Sequence, residues 1–327
     1  MQVEEVVALA RARPWADQAW ASDLLASFPD TLARAIEAWG LRIDRAHLEG
    51  AGLPVLQVCR SSPPTITSPS GSTGGSTGGW GAAVLKFDGA GTDLSQQVRV
   101  LQAADGRGYA RVLDADLDLG VALLEPLGPP LAQTTPDPLE QAVTLADLLL
   151  RAWELPIQVG SPTGPSDKAA SLLELLEGEL AAKGGLRHTG TVERAATVAR
   201  DLAGSPSDRQ VVVHGDPHSL NALVRDTATE EHVFIDPDGF VGEPEYDLGV
   251  ALRDHQREID RLDASQGAGA GRRWHADLVR RVSARLELDA DRVDAWAFVE
   301  RVTTGVWLRR LGYTEESDAW LATAQRM

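Results

Sequence analysis

The hydrophobic and polar positions of residues 1–127 follow two different periods. Apolar residues recur at helical spacing through 16–39, and Pro29 interrupts the pattern where Asp30 and Thr31 could cap a second helix. Short apolar runs typical of strands lie at 53–60, 82–87, 109–116 and 120–127, and one amphipathic helix is predicted at 92–105. These residues therefore predict a small β-rich lobe with a helix packed on it.

Beyond residue 127 the pattern becomes mostly helical. Two short apolar runs, QVVVHGD and HVFIDPD, interrupt the helices, and each ends in an aspartate. We expect an α+β fold with two lobes, a β-rich one at 1–127 and a larger helical one at 128–327, and we expect Trp274, Trp296 and Trp307 to pack in the core. Amphipathic helices are predicted at 139–155, 168–183, 192–204, 272–288 and 291–313.

Composition adds a flexible insertion to the first lobe. Residues 61–85 contain no charged side chain, and tandem Gly-Ser-Thr-Gly units fill 71–79. Such segments are typically flexible spacers, so a linker-like insertion is predicted at 61–81. Its glycines match neither phosphate-binding motif, since no G-x-G-x-x-G occurs and Leu85 stands before Lys86 where a Walker A loop needs glycine.

Charge and cysteine content restrict the class of protein. The chain has 31 Lys and Arg against 48 Asp and Glu, a formal charge of −17, which argues against binding nucleic acid and favours a cationic partner. Its single cysteine, Cys59, excludes an internal disulfide. Glu4 and Glu5 stand where a secretory signal is basic, and no apolar run reaches the ~20 residues of a membrane span. We expect a cytoplasmic protein without a membrane partner, as a monomer or weak dimer.

Candidate chemistry lies at the ends of the two apolar runs. A β-hairpin would bring Asp216, Asn221 and Asp236 together, and oxygen ligands of this kind suit Mg²⁺. The interval from Asp216 to Asn221 equals that of the kinase pattern H-R-D-x-x-x-x-N, in which the aspartate faces the acceptor hydroxyl and the asparagine holds a metal. Asp236 then corresponds to the aspartate of the D-F-G element. Phosphoryl transfer needs this combination.

Two other interpretations of these residues stay open at this point. Asp216 and Asn221 could simply be turn residues, with His214 a packing histidine. Alternatively, His214, Asp216 and His218 could form a transition-metal cluster, although the sequence offers no clear fourth ligand.

The segments HGDPHSLNALV and FIDPDGFVGEPEYDLGVAL resemble the aminoglycoside phosphotransferases, within them the streptomycin 6-phosphotransferase and hydroxyurea-resistance kinase branch. Further segments, among them VLKF, VALLEPL and LELDADRVDAWAFVERVTTGVW, extend the resemblance over nearly the whole chain. The resemblance implies a bilobal protein-kinase-like fold. It also implies transfer of the γ-phosphoryl group of ATP, or of GTP, to a hydroxyl of a cationic aminoglycoside, with Mg²⁺ as the cofactor.

The resemblance also implies a role for each matching residue. Asp216 would be the catalytic base or the group that orients the hydroxyl, while Asn221 and Asp236 would hold Mg²⁺. Lys86 would pair with the nucleotide phosphates, and the backbone at Glu125 and Leu127 would contact adenine. His214 and Asp247 would support the structure of the catalytic loop.

Some positions depart from the family pattern. Kinases pair the strand lysine with a helix glutamate, whereas the helix here offers Asp93, Gln96 and Gln97. Three functions follow: a kinase for streptomycin or a relative at the 6-hydroxyl, a kinase for an amino sugar, sugar or other metabolite, and a nucleotide-binding pseudokinase. The intact Lys86 and acidic residues favour the enzymes over the pseudokinase.

Overall fold

A five-stranded antiparallel sheet is the centre of the amino-terminal part of the molecule. The computed structural model describes residues 1–48, 52–60, 80–89, 93–162, 167–182 and 187–327. They form two units: Met1–Val98 with Arg111–Pro126, and Arg99–Ala110 with Leu127–Met327. Most of the insertion predicted at 61–81 lies outside the described residues.

The sheet of the first unit has the strand order β1-β2-β3-β5-β4. Leu56, Leu85 and Leu123, one from each of three adjacent strands, are fully buried in a single apolar cluster. The strands are β1 (Leu41–His47), β2 (Val55–Arg60), β3 (Ala82–Phe87), β4 (Val112–Asp116) and β5 (Val121–Leu124), and the helices are α1 (Val3–Arg11), α2 (Ala21–Trp39) and the start of α3 (Leu94–Ala104).

The helical break expected at Pro29 is wrong, because α2 continues through it. Proline removes one backbone N–H from the helical ladder, which disfavours this position. Packing offsets the loss: Phe28 and Leu32 are buried against the sheet, and the Phe28 ring meets Phe87 edge-on at a centroid distance of 5.0 Å. Neither Asp30 nor Thr31 therefore caps a helix.

The second unit is mostly helical and contains two short antiparallel ladders, β6 with β9 and the hairpin of β7 with β8. Its elements are α4 (Leu131–Thr134), α5 (Pro138–Ala152), α6 (Asp167–Ala181), α7 (Thr189–Gly204), β6 (Val211–Val212), β7 (Ala222–Asp226), β8 (Glu231–Phe234), β9 (Val241–Gly242), α8 (Pro244–Leu252), α9 (Gln256–Gln266), α10 (Ala270–Leu286), α11 (Ala290–Arg310) and α12 (Thr314–Arg326).

The tryptophans of the second unit differ in burial. Trp296 is 1% exposed, as expected, whereas Trp307 is 48% exposed and does not pack in the core. Trp307 lies in the last turns of α11, where its neighbours Gly305 and Val306 take the interior positions. Within the part of the chain that the structure describes, no helix combines the length and apolar character needed to cross a membrane.

Candidate active site

The two ladders of the second unit bring three predicted residues into one region. Asp216 follows β6, Asn221 immediately precedes β7, and Asp236 comes two residues after β8. The Ile235 N–H donates to the Asn221 carbonyl over 2.9 Å, and the Asn221 Nδ2 donates to the Asp216 carbonyl over 2.9 Å. The hairpin expected from the sequence is thus the β7–β8 pair, and it carries Asn221 and Asp236 at its open end.

Asp247 supports the loop that carries Asp216. Its carboxylate, fully buried on α8, accepts the backbone N–H groups of His214 at 2.8 Å and Gly215 at 2.9 Å, and the Trp153 indole N–H at 2.9 Å. Burial raises the pKa of Asp247 to about 7, against the three N–H donors that favour the carboxylate. Asp247 therefore joins the loop to both α8 and α5.

His214 is fully buried and joins the two aspartate-bearing segments. Its Nδ1 accepts the Asp216 backbone N–H at 3.1 Å, which leaves Nε2 to donate to the Ile235 carbonyl at 2.8 Å. Burial lowers the pKa of His214 to about 4, so the ring is neutral near pH 7. Both ring nitrogens are occupied, which argues against the histidine as a metal ligand.

Gly215 and Asp236 both adopt left-handed backbone conformations, with φ of 95° and 57°. A Cβ on Gly215 would lie 2.5 Å from the Asp238 Cβ, so only glycine fits there. Asp236 has a conformation that non-glycine residues rarely adopt. Such conformations are common at functional sites.

The Asp216 carboxylate is 38% exposed and is held by three side chains. Its Oδ1 accepts from Arg253 Nη2 at 2.6 Å, and its Oδ2 lies 3.3 Å from His218 Nε2 and 3.4 Å from Asn221 Nδ2. Burial disfavours the charge, but His218 and then Arg253 outweigh it and hold the pKa of Asp216 well below its ordinary value. The carboxylate is therefore ionised and fixed in direction.

Arg253, the C-cap of α8, contacts three carboxylates through its three nitrogens. Nη2 binds Asp216, Nε lies 3.2 Å from Asp254 Oδ1, and Nη1 lies 3.3 Å from Glu300 Oε2. Glu300 is 7% exposed in its side chain and Asp254 is 30% exposed. Burial opposes the guanidinium charge, but the carboxylates, Asp216 first, raise the pKa of Arg253.

His218 completes a ring of charged and polar groups around Asp216. Its Nδ1 accepts the Leu220 N–H at 3.2 Å and lies 3.9 Å from Asp254 Oδ2. Burial lowers the proton affinity of the ring, but Asp216 outweighs it, so the pKa of His218 is raised. Sequence reasoning missed Arg253, Asp254 and Glu300 altogether, because no short-range spacing links α8 and α11 to the loop that carries Asp216.

Helix α11 holds both ends of α8. At one end, Arg292 binds the buried Glu243 through two contacts of 2.8 Å, and the Trp296 indole N–H also donates to Glu243. At the other end, Arg301 Nε donates to the Arg253 carbonyl at 2.9 Å. Both the backbone and the side chain of Arg253 are therefore held in place relative to the loop that carries Asp216.

The remaining predicted residues lie on other segments. In the first unit, Lys86 is 9% exposed on β3, opposite Ala122 of β5, and the Glu125 N–H donates to the Arg111 carbonyl at 3.0 Å. Leu127 begins the long segment of the second unit. The nucleotide-binding roles of Lys86, Glu125 and Leu127 stay predictions.

Asp93, one candidate partner for Lys86, is engaged at the start of α3. Its Oδ1 accepts the Gln96 N–H at 3.0 Å and the Ser95 hydroxyl at 2.6 Å, and these bonds lower the pKa of Asp93. This is a helix cap rather than a free carboxylate. The other two candidates, Gln96 and Gln97, are 7% and 5% exposed.

The donor groups near Asp236 fit Mg²⁺ better than a transition metal. Asn221 donates through Nδ2, so its Oδ1 keeps acceptor capacity beside the Asp236 segment. Mg²⁺ commonly takes one or two protein oxygens and completes its shell with substrate phosphates and water. No group of three or more His, Cys, Asp or Glu among the described residues is placed to hold a metal, which removes the proposed His214, Asp216 and His218 cluster.

Comparison with known proteins gives consistent matches. The family described as aminoglycoside/hydroxyurea antibiotic resistance kinase matches residues 75–312. The chain is similar to streptomycin 6-kinase from Streptomyces griseus, at 26% identity over 304 residues, covering 93% of this chain and 90% of the relative. It is also similar to hydroxyurea phosphotransferase from Kitasatospora aureofaciens, at 28% identity over 291 residues, covering 87% and 74%.

Solved structures show the same fold at low sequence identity. A thermostable mutant of an aminoglycoside phosphotransferase, in ternary complex with ADP and hygromycin B, matches with a TM-score of 0.59 and 12% identity, covering 90% of this chain and 97% of that one. An aminoglycoside phosphotransferase from Streptomyces rimosus, in complex with ADP and streptomycin, matches with a TM-score of 0.50 and 18% identity, covering 84% and 97%. The α+β, protein-kinase-like fold expected from the sequence is confirmed.

Proposed function

The chain belongs to the aminoglycoside/hydroxyurea antibiotic resistance kinase family, and on that premise we propose that it transfers the γ-phosphoryl group of ATP to a hydroxyl of a small cationic molecule. We propose streptomycin or a close relative, phosphorylated at the 6-hydroxyl, as the acceptor. The family resemblance stated from the sequence is thus confirmed, whereas the acceptor is a proposal. GTP is the alternative donor.

The observation that carries the proposal is the fixed, ionised carboxylate of Asp216 beside the amide of Asn221. Asp216 would accept a hydrogen bond from the acceptor hydroxyl and so direct its oxygen at the γ-phosphorus. Because its pKa is held low, orientation of the hydroxyl is its main contribution, and the proton leaves late in the reaction. His214 and Asp247 would hold the loop without touching the reactants.

The other predicted residues would act on the nucleotide. Asn221 and Asp236 would hold Mg²⁺, which when bound neutralises charge on the phosphates. Lys86 would pair with the phosphates, and the backbone at Glu125 and Leu127 would meet the adenine base. Gln96 or Gln97 of α3 would have to replace the usual glutamate, since Asp93 caps the helix.

Local charge supports a cationic acceptor. Asp216, Asp254 and Glu300 contribute three carboxylates around the guanidinium of Arg253 and the imidazole of His218, so acidic groups outnumber basic ones, and two of these carboxylates are about one-third exposed. A guanidinium or ammonium group on the acceptor would balance this excess. The low exposure of the surrounding side chains would strengthen that attraction relative to water.

The test is turnover of ATP by the purified protein with a panel of streptomycin, other aminoglycosides, hydroxyurea and neutral sugars, with the product identified by mass spectrometry. We expect a phosphorylated streptomycin and loss of turnover in Asp216→Asn. If neutral sugars are phosphorylated and the cationic compounds are not, the acceptor class is wrong. If nothing is phosphorylated while nucleotide binds, the pseudokinase alternative takes its place.

A further inference from the structure

Glu300 is a buried acid outside the motifs that mark the catalytic loop. It lies on α11, and its Oε2 contacts Arg253 Nη1 at 3.3 Å and Thr303 Oγ1 at 3.5 Å. Its Oε1 is buried and makes no hydrogen bond to the described protein atoms. Burying a carboxylate is unfavourable unless it is paired. The packing of α11 alone would be served better by an apolar side chain, so a buried acid that contacts Arg253 at this position suggests a further role.

Arg253 transmits the position of Glu300 to Asp216. The guanidinium is planar and rigid, so a carboxylate bound at Nη1 fixes the direction in which Nη2 points. Nη2 is the group that meets Asp216 Oδ1 at 2.6 Å. The Arg253 backbone cannot compensate by moving, because Arg301 holds its carbonyl.

We propose that Glu300 is a positioning residue for the phosphoryl transfer, acting through Arg253 to fix the Asp216 carboxylate in the direction required by the acceptor hydroxyl. The proposal rests on the proposed function, because Asp216 must act on an acceptor for its direction to matter. In this proposal Glu300 does not touch the acceptor, because its side chain is only 7% exposed. A carboxylate misplaced by even ~1 Å can lower a rate by about a hundredfold.

Asp254 provides a contrast on the same guanidinium. It contacts Arg253 Nε at 3.2 Å but is 30% exposed, so water and the acceptor can both reach it. Loss of its charge would weaken binding of a cationic acceptor more than it would turn Asp216. The two carboxylates that flank Arg253 should therefore affect different kinetic constants.

The experiment compares steady-state kinetics of Glu300→Gln, Asp254→Asn and the control Glu258→Gln, a partly buried acid of α9 that pairs with Arg261. We expect Glu300→Gln to lower kcat roughly tenfold to a hundredfold with the acceptor KM within about twofold of the wild-type value. Asp254→Asn should raise the acceptor KM, and Glu258→Gln should change neither. An unchanged kcat in Glu300→Gln, or a raised KM alone, would overturn the positioning role.

A double variant tests the route through Arg253. Arg253→Gln removes the guanidinium that both acids contact, so adding Glu300→Gln should lower kcat no further. It should also recover stability lost in Arg253→Gln, because an unpaired buried carboxylate is removed. Independent, multiplying losses in kcat would show that Glu300 acts by another route.

Crystal structures separate failure of this proposal from failure of the proposed function. If the wild-type protein phosphorylates no acceptor, the structure of Glu300→Gln still shows whether Arg253 keeps its contact with Asp216 Oδ1. A lost or displaced contact supports the positioning role. A contact kept at the wild-type distance in a folded variant contradicts it, whatever the acceptor proves to be.

Discussion

Gly215 has no room for a side chain, because a Cβ on it would lie 2.5 Å from the Cβ of Asp238. Its φ of 95° is also one that residues with a Cβ rarely adopt. The steric constraint and the backbone constraint can be separated with Gly267. Its φ is 93°, but a Cβ at this position would have no neighbour within 4 Å. Its ψ of 161° completes a conformation that is nearly exclusive to glycine, so we expect Gly267→Ala to lower the free energy of unfolding by about 2 kcal/mol.

Gly215→Ala should cost more, about 3 kcal/mol, since a steric clash adds to the backbone strain. It should also reduce turnover, because Asp238 and the loop must move apart. Urea unfolding of the two variants under the same conditions measures the difference. Equal losses would mean that the clash with Asp238 relaxes freely.

Asp247→Asn is expected to destabilise the second unit. The carboxylate accepts three N–H groups, and an amide has one oxygen and an NH₂ group that would face a donor. We expect a loss of about 3 kcal/mol, against about 1 kcal/mol for Trp153→Phe, which removes one donor. Chemical unfolding checks both, and a larger loss in Trp153→Phe would contradict the order.

His214 should contribute a loss of stability in acid, opposed by Asp247, whose raised pKa stabilises the folded chain as the pH falls below about 7. The pKa of His214 is about 4 in the folded chain and near 6.5 when unfolded, so between these values the unfolded chain binds a proton that the folded chain does not. The contribution is complete above pH 6.5 and is lost as pH falls, at about 1.4 kcal/mol per pH unit and about 3 kcal/mol in total.

The measurement is the free energy of unfolding from pH 8 to pH 4 for the wild-type protein and for His214→Gln. Because Asp247 and the other titrating groups are present in both proteins, we expect the stability of the wild-type protein relative to His214→Gln to fall by about 3 kcal/mol between pH 6.5 and pH 4. Parallel curves over that range would show that His214 titrates normally in the folded protein.

Asp236→Asn should weaken the binding of metal in a measurable way. With one charge fewer beside Asn221, the Mg²⁺ concentration giving half-maximal turnover should rise roughly tenfold. Asp216→Asn should lower turnover without that shift. A titration of Mg²⁺ after removal of metal with EDTA distinguishes the two, and an unchanged midpoint in Asp236→Asn would argue against it as a ligand.

Asp93→Ala tests whether this acid caps α3 or partners Lys86. Loss of the cap should cost about 1 kcal/mol of stability, and Asp93→Ser, which can still cap, should restore it. In both variants the KM for ATP should stay at the wild-type value. A raised KM in both would show instead that the carboxylate takes part in nucleotide binding.

The sequence predicted those features that depend on short stretches of chain. Short apolar runs predicted four of the five strands of the first sheet but not β1, and the interval from Asp216 to Asn221 indicated the candidate site. The helix break predicted at Pro29 was wrong because local helix propensity carries no information about the burial of Phe28 and Leu32, which keeps α2 continuous.

The contacts around Arg253 could not be predicted in the same way. Helical periodicity places Glu300 on a helix at 291–313, but it does not say that this helix packs on α8 or which of its polar residues face inward. Asp216 and Glu300 are far apart in the chain, and the packing of α8 on α11 brings both of them into contact with Arg253. A single sequence contains no regular spacing from which long-range ion pairs of this kind could be predicted.

The contacts of α11 with both ends of α8 affect how the protein can evolve. Arg292 and Arg301 fix Glu243 and the Arg253 carbonyl from a buried helix, away from the exposed acids that would meet an acceptor. Changes at exposed positions such as Asp254 can therefore alter which molecule is chosen while the direction of Asp216 is preserved. Because different residues choose the acceptor and orient Asp216, mutations can change the acceptor without first abolishing phosphoryl transfer.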